Sequence, residues 1–362
     1  MKGHLVLEDG SVFEGESFGA VFKNEGEVVF STGMVGYPES LTDPSYLGQI
    51  LILTYPIIGN YGVPDKKYWE SDKIQVSGLI VSDYINTPSH FKSKRTLSSW
   101  LKDEKIPALE IKDTRFLTQK IRTKGTMLGR IVFDPSTISG QEKPKKSVFY
   151  DPNKENLVAK ASTREVLTEG SGKKTVLLID CGVKKSIKKN LIERNIRLIT
   201  VPWDFDPFNP IFSQKFDAIV ISSGPGDPKI VSKTIKTIKK ALDLKIPILG
   251  ICLGNQILAL AAGGDTYKLK FGHRGQNQPC VLLDSKRPAL PRGRCFITTQ
   301  NHGFAVSKIP NGFRSWFTNA NDGSNEGIIH NKYPFMSIQF HPEASPGPTD
   351  TEWIFDYFLE KI

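Results

Sequence analysis

The sequence predicts an α/β protein of two domains, with a mostly parallel sheet in the C-terminal one and a smaller, β-rich mixed α/β domain ahead of it. Three observations lead there. From Thr175 onward, short apolar runs of strand length alternate with amphipathic stretches, the pattern of a parallel sheet covered by helices on both faces. Before residue 135, strand-like runs are instead punctuated by Gly, Pro, Asp and Asn. Between Asp134 and Lys174, Pro, Ser, Lys and Glu dominate and apolar residues such as Val148, Phe149 and Leu157 stand isolated, which is the composition of a connection. The expected division is therefore 1–135, a linker over 136–174 with at most one short helix, and 175–362. A chain of 362 residues is long enough for two hydrophobic cores.

Taken in order, Leu5 to Phe13 predicts a hairpin turning at Glu8-Asp9-Gly10, since Asp-Gly supplies the positive φ of such turns. Gly26–Ser31 reads as a strand. Gly33 to Tyr46 is rich in turn residues and too polar for core. Gln49 to Pro56 and Ser77 to Ser82 predict buried strands. Leu97 to Leu101 and Thr114 to Thr123 have helical spacing, with Asp113 placed to cap the second. In the C-terminal part, strands are expected at Val176–Cys181, Ile196–Val201 and Phe216–Ser223. Helices are expected at Lys184–Arg194, Ser232–Leu244 and Trp353–Leu359.

Composition excludes several classes. A hydrophobic fraction of 39% and a charged fraction of 24% are those of an ordinary globular protein. The apolar stretch 246–264 is interrupted by Pro247, glycines and Asn255-Gln256, which argues against a membrane span. Acidic Glu8 and Asp9 stand where a signal peptide needs its apolar core, so a cytoplasmic location is expected. The four cysteines show no CxxC or zinc spacing and are expected as free thiols, with no metal site. A net charge of +10 raises the question of nucleic acid. However, the lysine clusters, among them Lys143-Pro-Lys-Lys146 and Lys184-Lys185, fall on polar helix faces or in the linker, with no aromatic platform between them. A solvated basic surface, or one facing an acidic protein partner, accounts for them.

The chemistry centres on Ile246 to Gly264. An apolar run of strand length passes through Gly250-Ile-Cys-Leu-Gly254 into a segment of strong helix formers. Glycines two residues either side of Cys252 suit a sharp strand-to-helix turn, the layout of a nucleophile elbow with sulfur in place of oxygen. A cysteine in the first turn of a helix meets the positive end of the dipole, which favours the thiolate; a buried structural cysteine is the alternative. Phe335 to Glu343 offers the partners a nucleophile needs: a strand, His341 at its end, and Pro342 bending the chain so that Glu343 reaches the imidazole. The other histidines have weaker claims, with His273 and His302 in polar loops. Gly224-Pro-Gly-Asp-Pro228 ends a second strand and should lie beside the elbow, because open α/β sheets place their sites at the carboxyl ends of strands. The backbone amides of Leu253 and Gly226 would form an oxyanion hole.

Gly-Ile-Cys-Leu-Gly-x-Gln with the downstream His-Pro-Glu resembles a class I, triad-type glutamine amidotransferase domain. Gly224 to Pro228, Gly272-His-Arg-Gly275, Gln300-Asn-His-Gly-Phe304 and His341 to Pro348 narrow the resemblance to the small, glutamine-hydrolysing subunit of carbamoyl phosphate synthetases. Thr32 to Tyr37, Leu41 to Tyr46, Thr54-Tyr-Pro56 with Gly59-Asn-Tyr-Gly62, and Asp113-Thr-Arg115 are similar to that subunit's N-terminal domain. The resemblance covers nearly the whole chain.

It implies Cys252 as nucleophile toward the glutamine side-chain amide, His341 as base and then acid, and Glu343 as its orienter. Glutamine contacts would fall on Ser45, Gly224, Gly226, Leu253, Gln256, Asn301, Gly303 and Phe304. Read singly, Ser45 is also a plain turn serine, Gln256 a helix-surface residue and Phe304 a core residue. Asn255 departs from the family, which more usually has histidine there, and altered local hydrogen bonding is expected. Gln276 and Gln278 are smaller departures, where glycine and histidine are commoner. The resemblance further implies a heterodimer, or a higher assembly, with a large synthetase subunit that binds ATP and magnesium and serves arginine and pyrimidine biosynthesis. This chain itself carries no Walker-type loop and would hold no cofactor. A stand-alone γ-glutamyl hydrolase would leave the N-terminal domain unexplained. A non-catalytic scaffold would not need Cys252, His341 and Glu343 together.

Overall fold

The computed structural model describes residues 1–133, 148–284 and 291–362. Residues 136–147 of the expected linker, with the lysines at 143–146, lie outside the described residues. The chain divides into two compact units, Met1–Glu155 and Asn156–Ile362.

In the N-terminal unit seven strands close into a barrel, in the order Lys2–Leu7, Val12–Ser17, Ala108–Glu110, Gly78–Val81, Gln49–Leu53, Asn24–Ser31 and Met127–Val132. The expected hairpin is there, with Gly10 at φ 87° in its turn. The two helices form as Leu97–Asp103 and Thr114–Lys124, and the Asp113 side chain accepts from Phe116 N at 3.0 Å. Closure of the barrel depends on Ala108–Glu110 and Met127–Val132, which the sequence pattern does not reveal. The first is only three residues long, and Gly129 and Arg130 break the apolar run of the second. The turn-rich stretch from Gly33 to Tyr46 corrects the expectation of a polar surface loop. It holds a short helix, Tyr37–Thr42, and a single 3-10 turn, and buries Tyr37, Leu41 and Tyr46 in the unit's core. Buried tyrosines explain how so polar a segment packs inward: Tyr37 Oη donates to Gly62 O, and Tyr61 Oη accepts from the amides of Gly36 and Tyr37.

The C-terminal unit is built on a ten-stranded sheet. Its middle is parallel: Ile196–Pro202, Lys174–Asp180, Ala218–Ile221, Ile248–Ile251 and Phe335–Ile338, in that spatial order. Alternate side chains of these strands feed two separate cores, Val176, Leu178 and Val220 to one and Leu177, Ile179 and Ile219 to the other. Helices Lys185–Glu193 and Trp353–Leu359 cover the first face; Ser232–Asp243 and Leu253–Ala261 cover the second. Beyond the parallel strands the sheet continues antiparallel through Asn325–His330, Cys295–Lys308, Asp265–Leu282 and Phe313–Asn319. At the opposite edge Leu167–Glu169 pairs antiparallel with Ile196–Pro202, so this part of the expected connection is woven into the sheet.

Candidate functional site

Ile248–Ile251 lies between two parallel neighbours, and the site is assembled where the three strands end. The chain turns sharply at Cys252, whose backbone stands at φ 55°, ψ −101°, and enters the helix Leu253–Ala261. A non-glycine residue held there stores strain of roughly 1–3 kcal/mol. The flanking glycines are needed for space. A Cβ on Gly250 would lie 2.4 Å from Gly254 O, and one on Gly254 would lie 2.3 Å from Ile221 O. Gly224 follows the neighbouring strand, where a Cβ would meet Cys181 O at 2.0 Å and Leu253 Cδ2 at 2.9 Å. Gly226 sits at φ 85°, a conformation that glycine adopts freely.

The strand Phe335–Ile338 ends three residues before His341, which is held by its amide donating to Thr299 O at 2.9 Å. Ile338 O accepts from Cys252 N at 2.8 Å, tying the two strand ends together. His341 Nδ1 is 2.6 Å from Glu343 Oε1. Its Nε2 is buried and has no hydrogen-bond partner among the described residues. Burial disfavours the charged imidazole, but the Glu343 carboxylate and then the Cys252 sulfur outweigh it, and the His341 pKa is pushed up to about 10. Glu343 is likewise buried. Burial would raise its pKa, yet the Lys184 ammonium and His341 bring it down to about 2.

Lys184 is the residue that sequence reasoning placed wrongly. It is not on a solvated helix face; it is 2% exposed, immediately before the helix Lys185–Glu193, at the carboxyl end of the first parallel strand. Its Nζ donates to Glu343 Oε1 at 3.1 Å and to Ala344 O at 2.7 Å. The signal available was its position, four residues past the end of a buried parallel strand, where sites of this fold class collect.

The glutamine-contact candidates divide between the two units. Asn301 O is 3.7 Å from the Cys252 sulfur, Leu253 is the next residue, and Gly224 packs against Leu253. Gln256 is buried, not on the helix surface, and its Nε2 donates to Phe304 O at 2.8 Å. Phe304 and Gly303 are half-buried on the antiparallel strand Cys295–Lys308. Ser45 belongs to the N-terminal unit. Its amide donates to Asp43 Oδ1, as a turn serine's would, while its buried Oγ has no hydrogen-bond partner among the described residues. Asn255 is fully buried, accepting from Ser337 Oγ at 2.8 Å and donating to Gln339 Oε1 at 3.1 Å.

His273 and His302 are on paired strands and not in loops. With Glu326 they offer three ligand atoms within 4.8 Å of one another. The protein already engages these atoms: His273 sits between Asp322 Oδ2 at 2.9 Å and Glu326 Oε1 at 3.3 Å. His302 faces Phe304 O and Gln300 Oε1, and burial followed by the His273 charge holds its pKa well below the usual histidine value.

Residues 177–361 match the family model for glutamine amidotransferase class-I. The chain belongs to that family. This amidotransferase also matches, over residues 5–131, the carbamoyl-phosphate synthase small chain, CPSase domain, which places it in the carbamoyl-phosphate synthase branch. It is 48% identical over 371 residues to the multifunctional protein CAD of Squalus acanthias, covering 98% of this chain and 16% of that protein. It is 45% identical over 394 residues to the multifunctional protein ura1 of Schizosaccharomyces pombe, covering 99% and 17%. It is 45% identical over 373 residues to the mitochondrial carbamoyl-phosphate synthase [ammonia] of Mus musculus, covering 99% and 24%. The amidotransferase chain thus spans about a sixth to a quarter of the length of the curated relatives it matches. Among the described residues, no helix is long and apolar enough to cross a membrane.

Proposed function

We propose that the chain hydrolyses L-glutamine and delivers the ammonia to a synthetase that makes carbamoyl phosphate. The carrying observation is the buried series Lys184–Glu343–His341 ending beside Cys252 at a strained strand-to-helix turn. In this reading the Cys252 thiolate attacks the carbon of the side-chain amide, and the oxyanion is met by the amides of Leu253 and Gly226. The carbon–nitrogen bond breaks as imidazolium His341 gives its proton to the leaving amine, releasing ammonia and leaving a γ-glutamyl thioester. Neutral His341 then takes a proton from water as the hydroxide attacks the thioester; the carbon–sulfur bond breaks, which restores the thiolate–imidazolium pair, and the new γ-carboxyl group loses its proton to solvent as glutamate leaves.

Gln256, Asn301, Gly303 and Phe304 would hold the amino-acid end of glutamine. ATP, magnesium and bicarbonate would be bound by the synthetase, in arginine or pyrimidine biosynthesis. That synthetase would be a separate large subunit in a heterodimer, or a continuation of one longer polypeptide as the relatives' lengths suggest. A cytoplasmic setting fits four free thiols, three of them buried. One relative is named mitochondrial, and fractionation decides between the two. Cys252→Ser tests the central claim. With the synthetase present, glutamine-dependent synthesis should be lost and ammonia-dependent synthesis retained; unchanged use of glutamine overturns the assignment.

A further inference from the structure

Four buried polar side chains form a chain of hydrogen bonds that ends on the Cys252 sulfur, and none of them belongs to the series through His341. Gln339, fully buried two residues before His341, is its centre. Gln339 Oε1 accepts from Asn255 Nδ2 at 3.1 Å and from Gln256 Nε2 at 3.1 Å, and Gln339 Nε2 reaches Cys252 Sγ at 3.7 Å.

The direction of these bonds follows from one atom that can only accept. Gln256 bonds to the backbone carbonyl of Phe304 at 2.8 Å, so the group there must be its NH2. The same NH2 meets Gln339, so the Gln339 atom on that side is the oxygen. The other end of the Gln339 amide is then its NH2, and that end faces the sulfur. On the far side Ser337 Oγ donates to Asn255 Oδ1 at 2.8 Å, which turns the Asn255 NH2 toward Gln339 in the same sense. Flipping any one of the three amides would set oxygen against oxygen or nitrogen against nitrogen in a buried site, at the cost of unpaired polar groups.

We propose that Gln339 is a fixed N–H donor to the Cys252 thiolate, with Asn255 and Gln256 positioning it. The inference rests on the reading of Cys252 as nucleophile. The sulfur has two polar neighbours besides the imidazole, and they favour opposite protonation states. Asn301 O, at 3.7 Å, accepts from the thiol and repels the anion; Gln339 Nε2 donates to the anion. Loss of the proton therefore moves the preferred partner from Asn301 to Gln339. The charged groups around this pair include imidazolium His341, with Glu343 and Lys184 behind it, and buried Arg274 opposite Asn301 on the paired strand; His302, next to Asn301, is neutral. None of them supplies a neutral, directional donor from the strand side of the sulfur. A donor that is separate from the base also holds the sulfur in place when His341 gives up its proton to the leaving group.

The test is the rate of Cys252 carboxamidomethylation by iodoacetamide against pH, read by mass spectrometry on the full chain, in Gln339→Met and Gln339→Glu. Methionine keeps the volume and removes the donor. Glutamate keeps the acceptor for Asn255 and Gln256 and replaces the donor with an oxygen. Both variants should move the midpoint of the alkylation curve upward, by about one pH unit for methionine and more for glutamate, with an approximately tenfold lower rate below the midpoint. KM for glutamine should move less than kcat. Far-UV circular dichroism shows which variants are folded, and Gln339→Asn, which withdraws the amide by one methylene, substitutes for either that is not. An unchanged midpoint in folded variants overturns the proposal while leaving Cys252 as nucleophile. Glutamine hydrolysis that survives in Cys252→Ser overturns the underlying reading instead.

Discussion

At the scale of single residues, the site is governed by the burial of three ionisable groups whose charges hold one another in place. Glu343 has its pKa held near 2, below the ordinary carboxylate value of 4.5, so its contribution to stability is present above about pH 4.5 and lost as pH falls toward 2. His341 has its pKa raised from 6.5 to about 10, so its contribution is complete below pH 6.5 and is lost as pH rises through 10. The two windows overlap between about pH 4.5 and 6.5, where this cluster stabilises the fold most. Glu343→Gln removes the charge that both neighbours need. The Lys184 ammonium would lose the carboxylate that stands 3.1 Å from it, and removing one partner of a buried ion pair costs about 3–5 kcal/mol. Thermal unfolding followed from pH 4 to 9 should show a lower Tm in the variant at every pH, with an alkaline fall that is smaller and complete at lower pH, because the charge that raises His341 most is gone. Cys252, His341 and Glu343 were legible in the sequence because each lies in a short motif whose chemistry is recognisable by residue type. Lys184 was not, because its residue type does not set it apart from the lysines beside it; only its place just past a strand end does.

At the scale of elements, the elbow is a packing problem solved by missing side chains. The strand Ile248–Ile251 and the helix Leu253–Ala261 approach so closely that Gly254 lies against the carbonyl of Ile221 on the adjacent strand. A methyl group there would stand 2.3 Å from Ile221 O, and backbone on both sides leaves nothing flexible to give way. Gly254→Ala should therefore destabilise the C-terminal unit by about 1–3 kcal/mol, the range for overpacking. It should also lower kcat for glutamine hydrolysis far more than a surface substitution of equal ΔΔG, because the displaced helix carries Leu253 and Gln256. Chemical denaturation and steady-state kinetics on the same variant check both. The glycine spacing announced this turn, and the five parallel strands were legible because each is mostly apolar, broken only by single polar residues such as Arg197 and Ser337. The antiparallel extension from Asp265 to His330 was harder to read. Its strands are two-faced and polar where they line the site, as in Gln300-Asn-His-Gly, and such stretches look like loops until a partner strand is known.

At the scale of the whole molecule, the division into units has an energetic basis in the cores themselves. The large core clusters on the two faces of the ten-stranded sheet draw only on residues from Val158 onward, and the core that includes Trp69 and Trp100 draws only on residues before 110. Apolar burial is the largest favourable term in folding, so a segment that contains all the members of its own cores carries most of the free energy it needs. A fragment beginning at Asn156 keeps the helix Leu157–Ala161, whose Val158 packs into the second face, and keeps the edge strand Leu167–Glu169. A fragment beginning at Thr175 would lose both, exposing the edge of Ile196–Pro202 and removing Leu157, whose side chain would lie 3.6 Å from a Cβ placed on Gly226. The fragment 156–362 is therefore expected to unfold in one cooperative transition, with Cys252 still alkylated at a rate similar to that in the full chain. The fragment 175–362 should be less stable and more prone to associate through its uncovered strand. Calorimetry and light scattering of the two fragments side by side distinguish this from a fold in which residues 156–174 are a dispensable tether: equal Tm values would show that the tether description is right and the edge strand contributes nothing.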